Sequence, residues 1–461
     1  MKFIPVFCLS TLLLCRLSAA NVAAYPALSG RPASDLYQVT VNGQPVWTEK
    51  FHTAFDLAKL PDWFTKATYT GVQQELHITD FSGTGSLDVA VQLKTKVNTV
   101  SIHPLSRGIQ ARIEGDLVHF TLAGPDKVYV VINDLPPLCV FANPPEGPAP
   151  QSAGPLVRYF GPGVHRPGLM TLKSNETVYL AAGALVYGGL RLAAGATHVR
   201  VLGRGVLDGD FHYESMVLLE NGHDITVSGI TIRNGDGWTN TLTNCTDVTY
   251  EGVKVISFGP GGDGIDPLGS SNVTIEHCFF RCTDDCIAIK APDPRHVVKN
   301  VRIAHNTMVG FACSDGVTIG FETNGPEISG VRVSDCDVIQ ARGGSRVDGH
   351  SAFSIICDGP AVIHDIVYED IRAEADVLKL FELHITDGTK YGTGPAGHIR
   401  GVHLRNITWT EPRPVILQGF DASHRVQDVT FENCRVQGRR LEGPVPAHFQ
   451  VNGFVDDVKF R

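Results

Sequence analysis

Nine short segments of this chain can be laid under one another, beginning at His198, Asp224, Asp247, Asn272, Asn300, Gly330, Asp365, Gly401 and Asp428. Their starts lie 23 to 36 residues apart, and most read polar, aliphatic, polar, apolar, as in Asn272-Val273-Thr274-Ile275 and Asn300-Val301-Arg302-Ile303. Self-similarity at such a period marks a solenoid, in which each repeat buries its apolar side only against its neighbours. Further apolar stretches fall between the repeats, among them Val217-Leu218-Leu219, Cys286-Ile287-Ala288-Ile289, Val317-Thr318-Ile319, Phe353-Ser354-Ile355-Ile356 and Val415-Ile416-Leu417. No amphipathic stretch long enough for a helix separates them, which argues against a doubly wound sheet and leucine-rich repeats. Each coil is predicted to carry two or three short strands joined by turns, with successive coils stacked in parallel as an all-β parallel β-helix over residues 151–461. Alternate apolar side chains such as Val273 and Ile275 should fill a dry interior while the intervening Thr, Arg and Glu face water.

Ahead of the repeats the pattern changes. Short alternating stretches around Tyr37–Val41, Val89–Leu93, Val97–Ile102, Ile109–Ile113 and Val128–Ile132 predict antiparallel strands and a small N-terminal β-sandwich over residues 21–150. A Pro-rich run from Leu135 to Pro155 marks the connector. The first 20 residues, with Lys2, an apolar stretch from Phe3 to Cys15 and the small pair Ala19-Ala20, read as a secretory signal peptide, so the mature protein is expected to be secreted or periplasmic. With 39 basic against 48 acidic residues, net charge −9, nothing supplies a basic field for nucleic acid. No later segment is long and apolar enough to span a membrane, and a monomer is expected. Cys139, Cys245, Cys278, Cys282, Cys286, Cys313, Cys336, Cys357 and Cys434 follow the leader. Cys278, Cys282 and Cys286 are spaced by four but lack a Cys-x-x-Cys pair, so buried small hydrophobes with one or two disulfides are favoured over zinc. No metal or cofactor is expected.

Stacking brings equivalent positions of successive coils within about 4.7–4.9 Å of backbone spacing. Three coils carry Asp at the same place, in Gly262-Asp263-Gly264-Ile265, Asp284-Asp285-Cys286-Ile287 and Ser314-Asp315-Gly316-Val317. Aligned, Asp263, Asp285 and Asp315 build an acidic ladder with Asp284 beside it and Asp266 three residues beyond Asp263. Crowded carboxylates push one pKa up, which pairs a protonated acid with an ionised base, the division that glycoside hydrolysis needs. A calcium ion, or turn Asp residues at strand starts, would use the same positions.

These residues also carry a resemblance. Cys282-Thr283-Asp284-Asp285-Cys286-Ile287-Ala288-Ile289-Lys290 resembles the Asp-Asp motif of glycoside hydrolase family 28, the polygalacturonases. Gly262-Asp263-Gly264-Ile265-Asp266 resembles that family's Asn-Thr-Asp motif, with Gly262 in the Thr place, and Gly203 to Gly209 is similar to its early-coil signature. The resemblance spans roughly residues 155 to 440 and implies the right-handed, pectin-lyase-like β-helix, a polysaccharide substrate, Asp284 as general acid, and Asp263 and Asp285 as bases orienting water in an inverting mechanism. It also implies a disulfide from Cys286 to Cys313.

Two positions depart from the family. Asp315 replaces the polygalacturonase His, and Arg346-Val347-Asp348 is the nearest match to Arg-Ile-Lys, which leaves Arg342 or Arg346 to pair with a substrate carboxylate. Leu138 to Pro144, Tyr159 to His165 and Val178 to Val186 resemble glycoside hydrolase family 49, the dextranases and isopullulanases, which place a β-sandwich before the β-helix and also use three Asp residues. The chain is thus expected to hydrolyse an α-linked glycan, with Asp315, Lys290, Trp238, Arg342 and Arg346 as substrate-binding candidates. For Lys290 a solvated surface, and for Trp238 a packing role, are equal alternatives. Glu382 and His384 read as a solvated strand face, and Asn175, Asn244, Asn272 and Asn406 begin Asn-x-Thr sequons. A polysaccharide lyase and a non-catalytic glycan-binding β-helix are the competing classes.

Overall fold

The computed structural model describes residues 21–53, 55–56, 58, 74–342, 351–444 and 449–461. The leader read over residues 1–20 lies outside the described residues, as does Arg346. No helix among the described residues is long and apolar enough to cross a membrane.

The N-terminal part is a sandwich. A six-stranded sheet containing Glu75–Gly83, Asp126–Ile132 and Leu138–Asn143 faces a five-stranded sheet containing Gln38–Val41, Leu87–Gln92 and Leu117–Leu122. Val39, Val41, Val89, Val91, Val118, Val128, Val130 and Val140 form the core between them, because alternation puts every second side chain on the inner face. One pair departs from the antiparallel expectation: Leu138–Asn143 runs parallel to Glu75–Gly83, the intervening chain being long enough for the crossover that a parallel pair requires.

The repeats follow as a right-handed parallel β-helix. One strand of each coil joins a 12-stranded parallel sheet running from Val157–Phe160 to Val455–Phe460, and the others join a second network of 21 strands. Val199, Ile225, Val248, Val273, Val301, Val331, Ile366, Val402 and Val429, the second residue of each repeat, stand in one register-matched column and belong to one buried core.

The residue just before each member of that column turns the chain. All nine repeat starts have φ between 52° and 65°, the left-handed region that Asn, Asp and Gly tolerate best. Their side chains also join successive coils: Asn272 donates to Asp247 Oδ1 at 3.0 Å and Asn300 to Asn272 Oδ1 at 3.1 Å. Asn406 Nδ2 donates likewise to Asp370 at 2.9 Å.

The sandwich lies along the side of the β-helix. Phe51, Leu76, Ile78, Tyr129, Cys139 and Phe141 pack on Ile256, Phe279, Val309 and Ile339 from successive coils. Beside this seam the fully buried Arg233 guanidinium donates to Glu49 of the sandwich at 2.8 and 3.1 Å and to Asp208 at 2.8 Å, with its carbon 4.5 Å from the Phe51 ring centroid. Lys254 donates to Asn143 Oδ1 at 3.2 Å, Asp337 pairs with Arg107 at 3.1 Å, and Glu374 accepts from the Leu105 N–H at 2.5 Å.

The cysteine expectation is corrected. All nine are buried thiols and no disulfide forms among them. Cys286 points into the helix core, whereas Cys313 packs with Phe55, Phe258, Phe311 and Ala312 in a separate cluster. The two belong to different packing layers, which is why the implied Cys286–Cys313 bond is not made.

Candidate active site

Four loops are laced together just ahead of their strands. Thr239 N–H donates to Asp263 O at 3.0 Å, Gly264 N–H to Asp285 O at 2.8 Å, and Cys286 N–H to Asp315 O at 3.0 Å. The strands then run in register, Ile265 opposite Ile287 and Ile287 opposite Val317. Asp263, Asp285 and Asp315 each stand two residues ahead of those positions, one coil above another. Gly262 is required here, since a Cβ would meet Thr283 Oγ1 at 2.3 Å and Ser257 Oγ at 3.0 Å. The Thr283 hydroxyl, donating to Gly259 O at 2.6 Å, fills the space that a side chain at 262 would need.

Asp284 and Asp285 are half-buried. Asp284 Oδ1 accepts the Asp285 N–H at 3.1 Å, and Asp285 Oδ1 accepts the Asp315 N–H at 2.7 Å. Burial, compounded by the charges of Asp315, Asp284 and Asp263, pushes the Asp285 carboxyl well above the usual carboxylate range. The cluster therefore retains protons where isolated carboxylates would be ionised, and its titration belongs to the group rather than to one residue.

Asp263 is only 2% exposed. Its Oδ2 lies 3.4 Å from Lys290 Nζ, which lies 3.4 Å from Glu322 Oε2 and 3.9 Å from the Trp238 ring centroid. Burial raises the Asp263 pKa, opposed by Lys290 and by a hydrogen bond with Asp266. Burial alone would lower the Lys290 pKa, yet the acidic groups around it, Asp263 foremost, hold it above its ordinary value. Lys290 is thus a buried counter-ion rather than a solvated side chain. Trp238 is half-buried, with its ring against that ammonium.

The other sequence candidates are dispersed. The Asp315 carboxylate is 1% exposed and accepts from Ser351 N–H at 2.5 Å and from the Ser354 hydroxyl, so it sits within the coil wall rather than on a surface that substrate could touch. Arg342 is exposed on the following coil, its carbonyl accepting the Ser314 N–H at 2.8 Å. Glu382 is 4% exposed and pairs with Lys379 at 2.8 Å and His384 at 3.4 Å. That ion-paired burial corrects the solvated-face expectation for Glu382. Glu322 was not singled out for the site because its position follows from two local irregularities: a register shift opposite Ile289 and Ala291, and its own φ of 55°. Strand alternation alone does not reveal either.

A family model for glycosyl hydrolases family 28 matches residues 207–442, slightly more than half of the chain. An endo-polygalacturonase of Pectobacterium carotovorum subsp. carotovorum is 27% identical over 210 residues, 45% of this chain and 46% of its own length. Exopolygalacturonase rpg15 of Rhizopus delemar is 25% identical over 265 residues, 52% of this chain and 66% of its own. The chain thus spans about half the length of the first of these relatives. Among solved structures, Dex49A from Penicillium minioluteum shares the fold over 96% of both chains, with a TM-score of 0.65 at 14% identity. An exopolygalacturonase from Thermotoga maritima shares it over 66% of this chain and 84% of its own, with a TM-score of 0.51 at 16% identity. By the family match across its coils, with the stacked Asp motifs inside the matched stretch, this chain belongs to family 28 of the glycosyl hydrolases.

Proposed function

We propose that the protein is a secreted hydrolase that cleaves α-glycosidic bonds of a polysaccharide with inversion. Asp284 protonates the leaving oxygen, and Asp263 and Asp285 orient the attacking water. The observation that supports this most is the carboxylate cluster itself. Burial and the neighbouring charges of Asp315, Asp284 and Asp263 raise the Asp285 carboxyl, and burial raises Asp263 against the opposing pull of Lys290, so the cluster holds fewer charges than carboxyl groups. A cluster that shares protons in this way offers a donor and an acceptor side by side, which general acid–base cleavage requires.

The two family resemblances select the probes. The curated relatives are polygalacturonases, and the sandwich-plus-helix architecture is the one the family 49 resemblance implies. The purified protein should release reducing ends from polygalacturonan or from dextran, tested alongside rhamnogalacturonan and pullulan. Proton NMR should show the first-formed anomer inverted. Ultraviolet-absorbing ends would mean a lyase, a retained anomer would sink the inverting assignment, and no product from any of the four polymers would overturn the hydrolase reading for these substrates.

A further inference from the structure

We propose that Asp266 is a positioning residue that remains a neutral acid and donates a hydrogen bond to Asp263, holding that carboxylate ionised and oriented. The inference rests on the base role given to Asp263 above.

Asp266 lies on the strand Ile265–Leu268 and is fully buried. Both of its oxygens, and Asp263 Oδ1 three residues before it, are buried and meet no donor among the described residues, and the Asp263 side chain is the group that acts on it most after burial. An ionised carboxylate only accepts, so two carboxyls can share a hydrogen bond only when one holds the proton. Asp263 Oδ2 faces Lys290 at 3.4 Å, while Oδ1 meets no donor among the described residues. The ammonium therefore favours charge on Asp263 and leaves the proton to Asp266.

The surroundings agree. Thr241 stands in register on the preceding coil, and Ala288 occupies the corresponding place between Ile287 and Lys290 on the following one. Neither carries a charge. The titratable groups that face Asp266 are Asp263, Lys290, Asp285 and the buried Tyr250 phenol. Burial first, then the Asp263 charge, pushes the Asp266 carboxyl well above its ordinary range.

Infrared difference spectroscopy of the full chain, wild type minus Asp266→Asn at pH 7, tests the proton without any substrate. The loss of a carboxylic-acid carbonyl band is expected, and loss of carboxylate bands alone would overturn the proposal. The positioning role is tested by pH–rate profiles on whichever of polygalacturonan or dextran the wild type cleaves. Asp266→Asn, which keeps a donor, should hold kcat within about threefold with an unmoved acid limb. Asp266→Ala should lower kcat at least about tenfold at unchanged KM and move the acid limb to higher pH, as expected when a hydrogen bond to a charge is lost. An Asn variant as impaired as Ala, or an Ala variant with the wild-type profile, would refute positioning. Should neither polymer be cleaved, the hydrolase reading falls while the infrared result still decides the proton.

Discussion

Asp315 lends its backbone N–H to Asp285 Oδ1 across 2.7 Å while its own carboxylate is held by the Ser351 N–H and the Ser354 hydroxyl. The residue in the place of the family's His thus shapes the site through the backbone. Asp315→Asn presents an amide to two donors and should cost about 1–3 kcal/mol of stability, read by chemical denaturation. It should lower kcat with KM unchanged. A rise in KM alone would show that Asp315 touches substrate after all.

Asp284→Asn removes the proposed general acid. Turnover should fall at least about a hundredfold with little change in thermal midpoint. Near-wild-type activity would end the role.

Asp285 predicts a pH dependence of stability. Its folded-state pKa lies above the unfolded one, so the folded chain binds the extra proton between the two values. Stability is accordingly lost as pH rises from the ordinary carboxylate range through the raised one. Asp285→Asn should flatten that dependence and stabilise the protein at neutral pH by about 0.5–2 kcal/mol, while activity collapses. Thermal melts at several pH values check this, and a less stable Asn variant at neutral pH would contradict it.

The Arg233 guanidinium sits between Glu49 and Asp208 with all three groups buried. Arg233→Met would leave Asp208 without its counter-ion and Glu49 with Arg31 alone, at 2.8 Å, at a cost of about 3–5 kcal/mol. Adding Glu49→Gln to that variant should recover part of the loss. Strict additivity in the double-mutant cycle would rule out the coupling.

At Asn272, φ is 54°. Asn272→Ala should destabilise the coil by about 1–2 kcal/mol and Asn272→Gly by less. Equal losses would place the cost in the side-chain ladder to Asp247 instead of the backbone.

The coils were readable because their physics is local. A left-handed turn residue followed by an inward aliphatic one recurs nine times, and both the turn and the inner column stand where that pattern put them. The stacked Asp positions follow from the same register. Glu322 and the burial of Glu382 were not readable, since the first depends on a register shift and the second on Lys379 reaching over from three residues away. The Cys286–Cys313 pairing failed because shared sequence spacing does not say which packing layer a side chain enters.

A solenoid whose repeats touch only their neighbours can fray from either end, each coil melting on its own account. Here six consecutive coils, those holding Arg233, Lys254, Phe279, Val309, Ile339 and Glu374, are all fastened to one sandwich. The sandwich acts as a splint across the middle of the stack, and the coils that carry the acid cluster lie within its span. Thermal unfolding of that stretch should be a single cooperative event, with coil-by-coil loosening confined to the ends beyond it.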